Sequence, residues 1–168
     1  NLCVSGGVGL NALANGKIFE NCKFKRTYIM GASGDGGSAM GAALFTYFSI
    51  LKNKKASHQL ENLYLGSEFS SSQIEKSLLK EKLKFQKVDN EKELIKKAAK
   101  LLSQNMILGW FQGKMEFGPR ALGNRSILAN PKPYQMKEKV NRIKIRELFR
   151  PFAGSVLLEK AKDYFEIP

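Results

Sequence analysis

The segment Gly113–Ser126 concentrates residues suited to holding an anion. Arg120 and Arg125 present planar guanidinium forks that match phosphate or carboxylate. Gly113, Gly118 and Gly123 let the backbone come close to a ligand, and Glu116 can pair with an arginine and fix its direction. Ser126 adds a hydroxyl. The plainer alternative is a rigid loop in which Glu116 only ties down Arg120. The density of arginine and glycine around Pro119 favours a site. Further basic residues follow at Lys144, Arg146 and Arg150. The apolar spacing of Met136, Val140 and Ile143 predicts a basic amphipathic helix over 136–147, with Asn141 and Lys144 sharing a face. Lys137 and Lys139 read as solvated side chains.

Two glycine-rich turns lie in the first 53 residues. Ser5–Asn11 follows a predicted strand at Leu2–Val4 and precedes a short helix from Leu10 to about Asn15. Gly31–Gly37 follows a second predicted strand over 25–30 and precedes a helix from Ser38 to about Leu51, with Ser38 as its N-cap. Glycines let backbone N–H groups approach a phosphate, and a helix N-terminus supplies a positive end. A plain tight turn explains Ser5–Asn11 equally well. Asp35, the one carboxylate in the second turn, can cap the helix or ligate a hard cation beside a phosphate; capping is the commoner role. Two such turns facing one cleft is how actin- and sugar-kinase-like ATPase folds hold a nucleotide.

Composition narrows the classes. A 43% hydrophobic content is enough for a real core. The net charge of +13 favours polyanions, phosphorylated small molecules or acidic surfaces without choosing among them. Cys3 and Cys22 have no metal-finger spacing and make no disulfide framework, so they read as buried free thiols of a reducing, cytoplasmic compartment. No apolar run approaches the ~20 residues that span a bilayer. His58, the single histidine, falls in a polar stretch and reads as exposed. Both ends of the chain lack the usual polar taper, so we read it as a piece of a longer polypeptide.

The elements that must position these groups alternate between strand and helix, which indicates an α/β chain. Residues 1–53 form one part, 54–69 a linker and 70–168 a second part. In the second part the pattern predicts a helix after Ser71 to about Lys80 and a strand through Leu83, Phe85 and Val88. A helix from Glu91 to about Gln104, capped by Asn90, follows with an apolar stripe through Leu94, Ile95, Ala98, Leu101 and Leu102. A buried strand over 106–111, a strand over 153–157 and a helix over 159–165 complete it. The helix after Gly37 is apolar on most faces and calls for burial that residues 1–53 cannot supply by themselves.

At these residues the chain resembles the carbamoyltransferases of the nodulation-factor and antibiotic-biosynthesis type. The matching strings run through Gly6–Asn11, Gly34–Gly37, Gly41–Leu44, Trp110–Gly113, Glu116–Leu128, then Asn141, Ile143–Lys144, Arg146–Glu147 and Phe149–Phe152. The run Glu116–Ser126 is the long, specific one. The chain departs from the family pattern at Gly154 and Ser67, both in loops. The resemblance implies the end of an ASKHA (Kae1-like) domain followed by the first part of a YrdC-like α/β domain. It implies synthesis of carbamoyl adenylate from carbamoyl phosphate and ATP, then transfer of the carbamoyl group to a hydroxyl of a small-molecule or glycan acceptor. By position, Arg120, Lys144 and Arg150 match the catalytic carbamoyl phosphate cluster, with Arg125 and Ser126 beside them. Gly6, Gly7, Asn11 and Gly36 match nucleotide-loop residues. Asp35 matches a ligand of a divalent metal, Fe2+ with Mg2+ as the other candidate. The family's paired metal histidines would lie upstream, and His58 does not replace them. The resemblance therefore implies that the rest of the polypeptide is required, that this segment alone is inactive, and that a homodimer is compatible. The rival classes are a basic nucleic-acid-binding module and a Kae1/YrdC relative acting on transfer RNA. Against the first, Phe117, Phe149 and Phe152 adjoin glycine or proline instead of forming a stacking stripe. Against the second stands the Glu116–Ser126 run.

Overall fold

A computed structural model describes residues 1–54 and 60–166, so His58 lies outside the described residues. The chain is mixed helix and sheet and divides into two compact units. One comprises Asn1–Ser67 with Lys114–Leu122; the other comprises Glu68–Gly113 with Gly123–Ile167.

In the first unit, β1 (Leu2–Val4) and β2 (Thr27–Ile29) pair in parallel, with Cys3 opposite Tyr28; Cys3 and Cys22 are free but exposed, not buried as expected. The crossover between them carries a 3-10 turn over Gly7–Leu10 and α1 (Ala12–Asn21). This helix is longer than its sequence pattern suggests, because Asn11 caps it through Ala14 N–H at 3.1 Å. After β2, α2 (Asp35–Phe45) begins at Gly34 and continues as a π-helical turn over Thr46–Ile50. The expected cap at Ser38 is thus displaced: Ser38 lies inside the helix, and the glycine turn itself feeds its first residue. No residue of α2 is buried, and Leu44 and Phe45 are 49% and 62% exposed. Composition creates the demand for burial, but only a neighbouring element can satisfy it, and none among the described residues does.

In the second unit, α3 (Ser71–Lys80) starts on a capping box. Gln73 N–H donates to Ser70 Oγ, and Ser70 N–H donates to Gln73 Oε1 at 2.8 Å. α4 (Glu91–Ser103) is capped as expected, with Asn90 Oδ1 accepting from Lys92 and Glu93 N–H. Glu91 and Glu93 complement the positive end of the helix. β3 (Leu108–Phe111) pairs antiparallel with β4 (Arg125–Leu128), a strand that the pattern of the basic loop does not predict. The strands expected through Leu83–Val88 and over 153–157 do not form. Alternation is a weak signal for a strand, since a strand also needs a hydrogen-bonded neighbour, and neither stretch finds one among the described residues. The last helices are α5 (Met136–Ile143) and α6 (Ala161–Tyr164). α5 ends four residues early. Lys144 is its C-cap, and Ile145 takes a left-handed φ of 49° that turns the chain away. Lys144, with helical φ and ψ and its N–H bonded to the Val140 carbonyl at 3.1 Å, closes the last turn three residues after Asn141. Met136 and Val140 are buried as expected, whereas Ile143 is exposed and Asn141 takes the buried place instead. No helix among the described residues is long and apolar enough to cross a membrane.

Candidate functional site

In the first unit the two glycine turns are clasped together. Gly6 N–H donates to the Ser33 carbonyl at 2.7 Å, and Asn15 Nδ2 holds the Gly9 carbonyl at 2.9 Å. A Cβ on Gly9 would lie 2.6 Å from Ser33 Oγ, so this glycine is required for packing. The Ser33 hydroxyl is buried and finds no hydrogen-bond partner among the described residues. The other glycines behave differently. A Cβ on Gly6, Gly7 or Gly36 would meet nothing within 4 Å. Open space beside those backbones is what a phosphate cradle needs, and α2 starts there with no side-chain cap. Asn11 is at the same turn, with its carboxamide oxygen engaged as the cap of α1.

Asp35 is the first residue of α2 and is exposed. No group of three or more His, Cys, Asp or Glu side chains that could hold a metal occurs among the described residues. One carboxylate is not a metal site, so the described residues do not by themselves fit a bound ion.

The basic loop also joins this unit. Phe117 N–H donates to Leu63 O, Met115 N–H to Ser67 O, and Gly66 N–H to Met115 O. Gly118, at φ +108°, packs on fully buried Ala32 of the second glycine turn. Glu116 is buried, and its Oε1 accepts from Leu122 N–H at 2.6 Å, which shapes the turn that carries Arg120. Arg120 Nη2 donates to the Leu10 carbonyl at 2.7 Å, at the end of the first glycine turn. A guanidinium has five N–H donors, so this contact orients Arg120 without exhausting it. The two residues are separated by 110 positions, and nothing in the sequence pattern pairs them.

The second unit holds Arg125, Ser126, Lys144 and Arg150. Arg125 and Ser126 lie on β4, opposite Phe111 and Trp110, and Ser126 Oγ accepts from Gly123 N–H at 3.1 Å. Asn141 is fully buried on α5. Its Nδ2 donates to the carbonyls of Leu148 and Arg150, each at 3.0 Å, and its Oδ1 accepts from Arg146 Nε. Arg146 also donates to Pro151 O at 3.3 Å and stacks 4.3 Å above the Phe152 ring. This network folds 144–152 into a loop beside a cleft of about 620 Å³ lined by Arg142, Ile145, Arg146, Glu147 and Arg150. Arg150 Nε meets Glu147 Oε2 at 2.7 Å, both half-exposed. The Glu147 carboxyl is held below its ordinary range by its own backbone N–H first and by Arg150 next. Lys144 is exposed at the mouth of the loop's sequence but does not line the cleft. The buried places of Ser33 and Asn141, and the Asn15 bond to the Gly9 carbonyl, have no counterpart in the sequence reading. Asn141 left one signal, a polar residue next to Val140 within an apolar helical face.

The chain is thus a mixed α/β protein, with two glycine turns in one unit and an open, arginine-lined cleft in the other. Residues 1–44 match the carbamoyltransferase N-terminus, and residues 99–168 match the carbamoyltransferase C-terminus. The chain belongs to the carbamoyltransferase family, as the motif resemblance implied. It is 38% identical to nodulation protein NolO of Bradyrhizobium diazoefficiens, over 99% of this chain and 30% of that protein. It is likewise 38% identical to nodulation protein NolNO of Sinorhizobium fredii, over 99% of this chain and 25% of that one. An uncharacterised protein of Synechocystis is 44% identical over 99% of this chain and 28% of its own length. The chain thus spans less than a third of these relatives.

Proposed function

We propose that this chain is the central portion of an ATP-dependent O-carbamoyltransferase that uses carbamoyl phosphate, through carbamoyl adenylate, to modify a hydroxyl of a small-molecule or glycan acceptor. The observation that carries the reading is the loop 144–152, which Asn141 clips so that Arg150 stands at an arginine-lined cleft. A phosphate dianion, and the charge that develops on a carbonyl oxygen during transfer, are both stabilised by cations held in place beforehand. In this reading Arg120, Lys144 and Arg150 bind carbamoyl phosphate, with Arg125 and Ser126 assisting. Gly7 and Gly36 would turn their backbones to the phosphates of ATP, and Gly6, whose N–H is taken by the Ser33 carbonyl, would leave them room, with Asn11 shaping the turn. ATP supplies the activating adenylyl group when bound. Asp35 would be one ligand of a divalent metal, Fe2+ or Mg2+, whose other ligands lie elsewhere.

The same reading assigns the first unit to a Kae1-like ASKHA domain and the second to a YrdC-like domain. It places the protein in the cytoplasm and allows a homodimer. It also requires the remaining polypeptide, so the isolated 168-residue chain should show no steady carbamoyl transfer. The test is thermal stabilisation of the full-length polypeptide by millimolar carbamoyl phosphate, which grows as RT ln(1 + [L]/Kd). We expect stabilisation that Arg120→Ala abolishes. Stabilisation that persists in Arg120→Ala would remove that residue from the site. No stabilisation, with salt-sensitive oligonucleotide binding instead, would replace the reading with a nucleic-acid-binding one.

A further inference from the structure

The least expected side chain in the second unit is Asn141. It is fully buried, on a helix whose neighbouring Ile143 is 55% exposed. Burying a carboxamide costs free energy unless its hydrogen bonds are made. Asn141 makes them to one stretch of chain. Its two Nδ2 hydrogens serve the carbonyls of Leu148 and Arg150, and its oxygen takes Arg146 Nε. Arg146 continues outward to the Pro151 carbonyl and the face of Phe152. The left-handed Ile145 supplies the bend that lets the loop return to α5, and Arg146 N–H closes it on the Asn141 carbonyl at 3.2 Å. Two side chains therefore hold the carbonyls of residues 148, 150 and 151. The Arg150 side chain itself remains 53% exposed. Its backbone is fixed, and of its guanidinium Nε is engaged by Glu147 at 2.7 Å.

We propose that Asn141 and Arg146 are positioning residues for the anion site, acting by holding the main chain of Arg150 so that its guanidinium faces the cleft. The proposal rests on the reading of Arg150 as a carbamoyl phosphate ligand. Arg146 works here through its planar fork and its stacking face rather than through its charge. Lysine has neither and cannot substitute. Asn141 works through two donors, and neither alanine nor aspartate keeps them. Displacing a binding group by about 1 Å is enough to cost on the order of 100-fold in a site that depends on orientation.

The experiment measures carbamoyl phosphate and ATP dissociation constants by calorimetry in the full-length polypeptide. The variants are Asn141→Ala, Arg146→Lys, Arg150→Ala and the double variant Asn141→Ala/Arg150→Ala. We expect Asn141→Ala and Arg146→Lys each to weaken carbamoyl phosphate roughly 10- to 100-fold and to leave ATP unchanged. The double variant should bind no more weakly than Arg150→Ala, because a residue that acts through Arg150 has nothing left to lose. Independent, multiplying losses in the double variant would overturn the proposal and leave the Arg150 reading intact. So would wild-type affinity in Arg146→Lys. Should Asn141→Ala fail to fold, Arg146→Lys carries the test, and loss of ATP binding in both would reduce the pair to scaffolding. Unchanged carbamoyl phosphate affinity in Arg150→Ala would overturn the reading of Arg150 itself, and the proposal with it.

Discussion

Replacing Gly118 by alanine tests how the basic loop is seated in the first unit. Gly118 has φ +108°, a region that L side chains rarely adopt, and its added Cβ would lie 2.8 Å from Ala32 Cβ and 3.3 Å from Ala32 Cα. Ala32 is fully buried and has no flexible end to move aside. The left-handed backbone costs an alanine about 1–2 kcal/mol. Overpacking against a rigid neighbour adds about 1–3 kcal/mol. The variant should therefore loosen the loop by roughly 2–5 kcal/mol, with the upper end reached only if the backbone cannot relax. The direct readout is hydrogen exchange of the Met115 and Phe117 amides, which are bonded to Ser67 O and Leu63 O. At tenfold per 1.4 kcal/mol, their exchange should accelerate by about 30-fold or more. Because Arg120 is carried on the same loop, carbamoyl phosphate affinity should fall in parallel. Unchanged exchange at both amides would show that Gly118 does not pack on Ala32, and the account of how Arg120 is placed would fail with it.

Gly36→Ala is the complementary experiment. Its Cβ meets nothing within 4 Å, and it lies in the first turn of α2, so folding stability should stay level or rise by a few tenths to about 1 kcal/mol. If ATP phosphates approach that backbone, ATP affinity should nonetheless drop; a variant that binds ATP normally removes Gly36 from the nucleotide site. The Glu147 carboxyl should titrate below its ordinary value in an NMR pH series, and in Arg150→Ala it should rise yet stay lowered, because its own backbone N–H is the larger cause. Complete restoration in that variant would assign the shift to Arg150 alone. A lowered folded value stabilises the fold above the ordinary carboxylate range and is lost as pH falls through the lowered value, so any stability difference between wild type and Glu147→Gln should vanish in acid.

Local chemistry was legible from the sequence wherever a single segment decides it. Asn90 caps α4 because a carboxamide beside a free helix N-terminus finds its donors within three residues. The apolar stripe of α4 and the family motifs are equally local in origin. The helix end at Ile143 was not legible, because the register of Met136 and Val140 continues to residue 143 while the loop bond to buried Asn141 overrides it. Tertiary structure also decided what each glycine is for. Gly9 and Gly118 are close-packed on Ser33 and Ala32, whereas Gly6, Gly7 and Gly36 face open space, and no composition distinguishes the two kinds. The sequence by itself determined which family carries the Gly113–Ser126 run, and its arginines and glycines raised the expectation of an anion site there. Only the fold decided that Arg120 is oriented by the Leu10 carbonyl and Arg150 by Asn141, since both partners come from other elements and no periodicity records a contact between them.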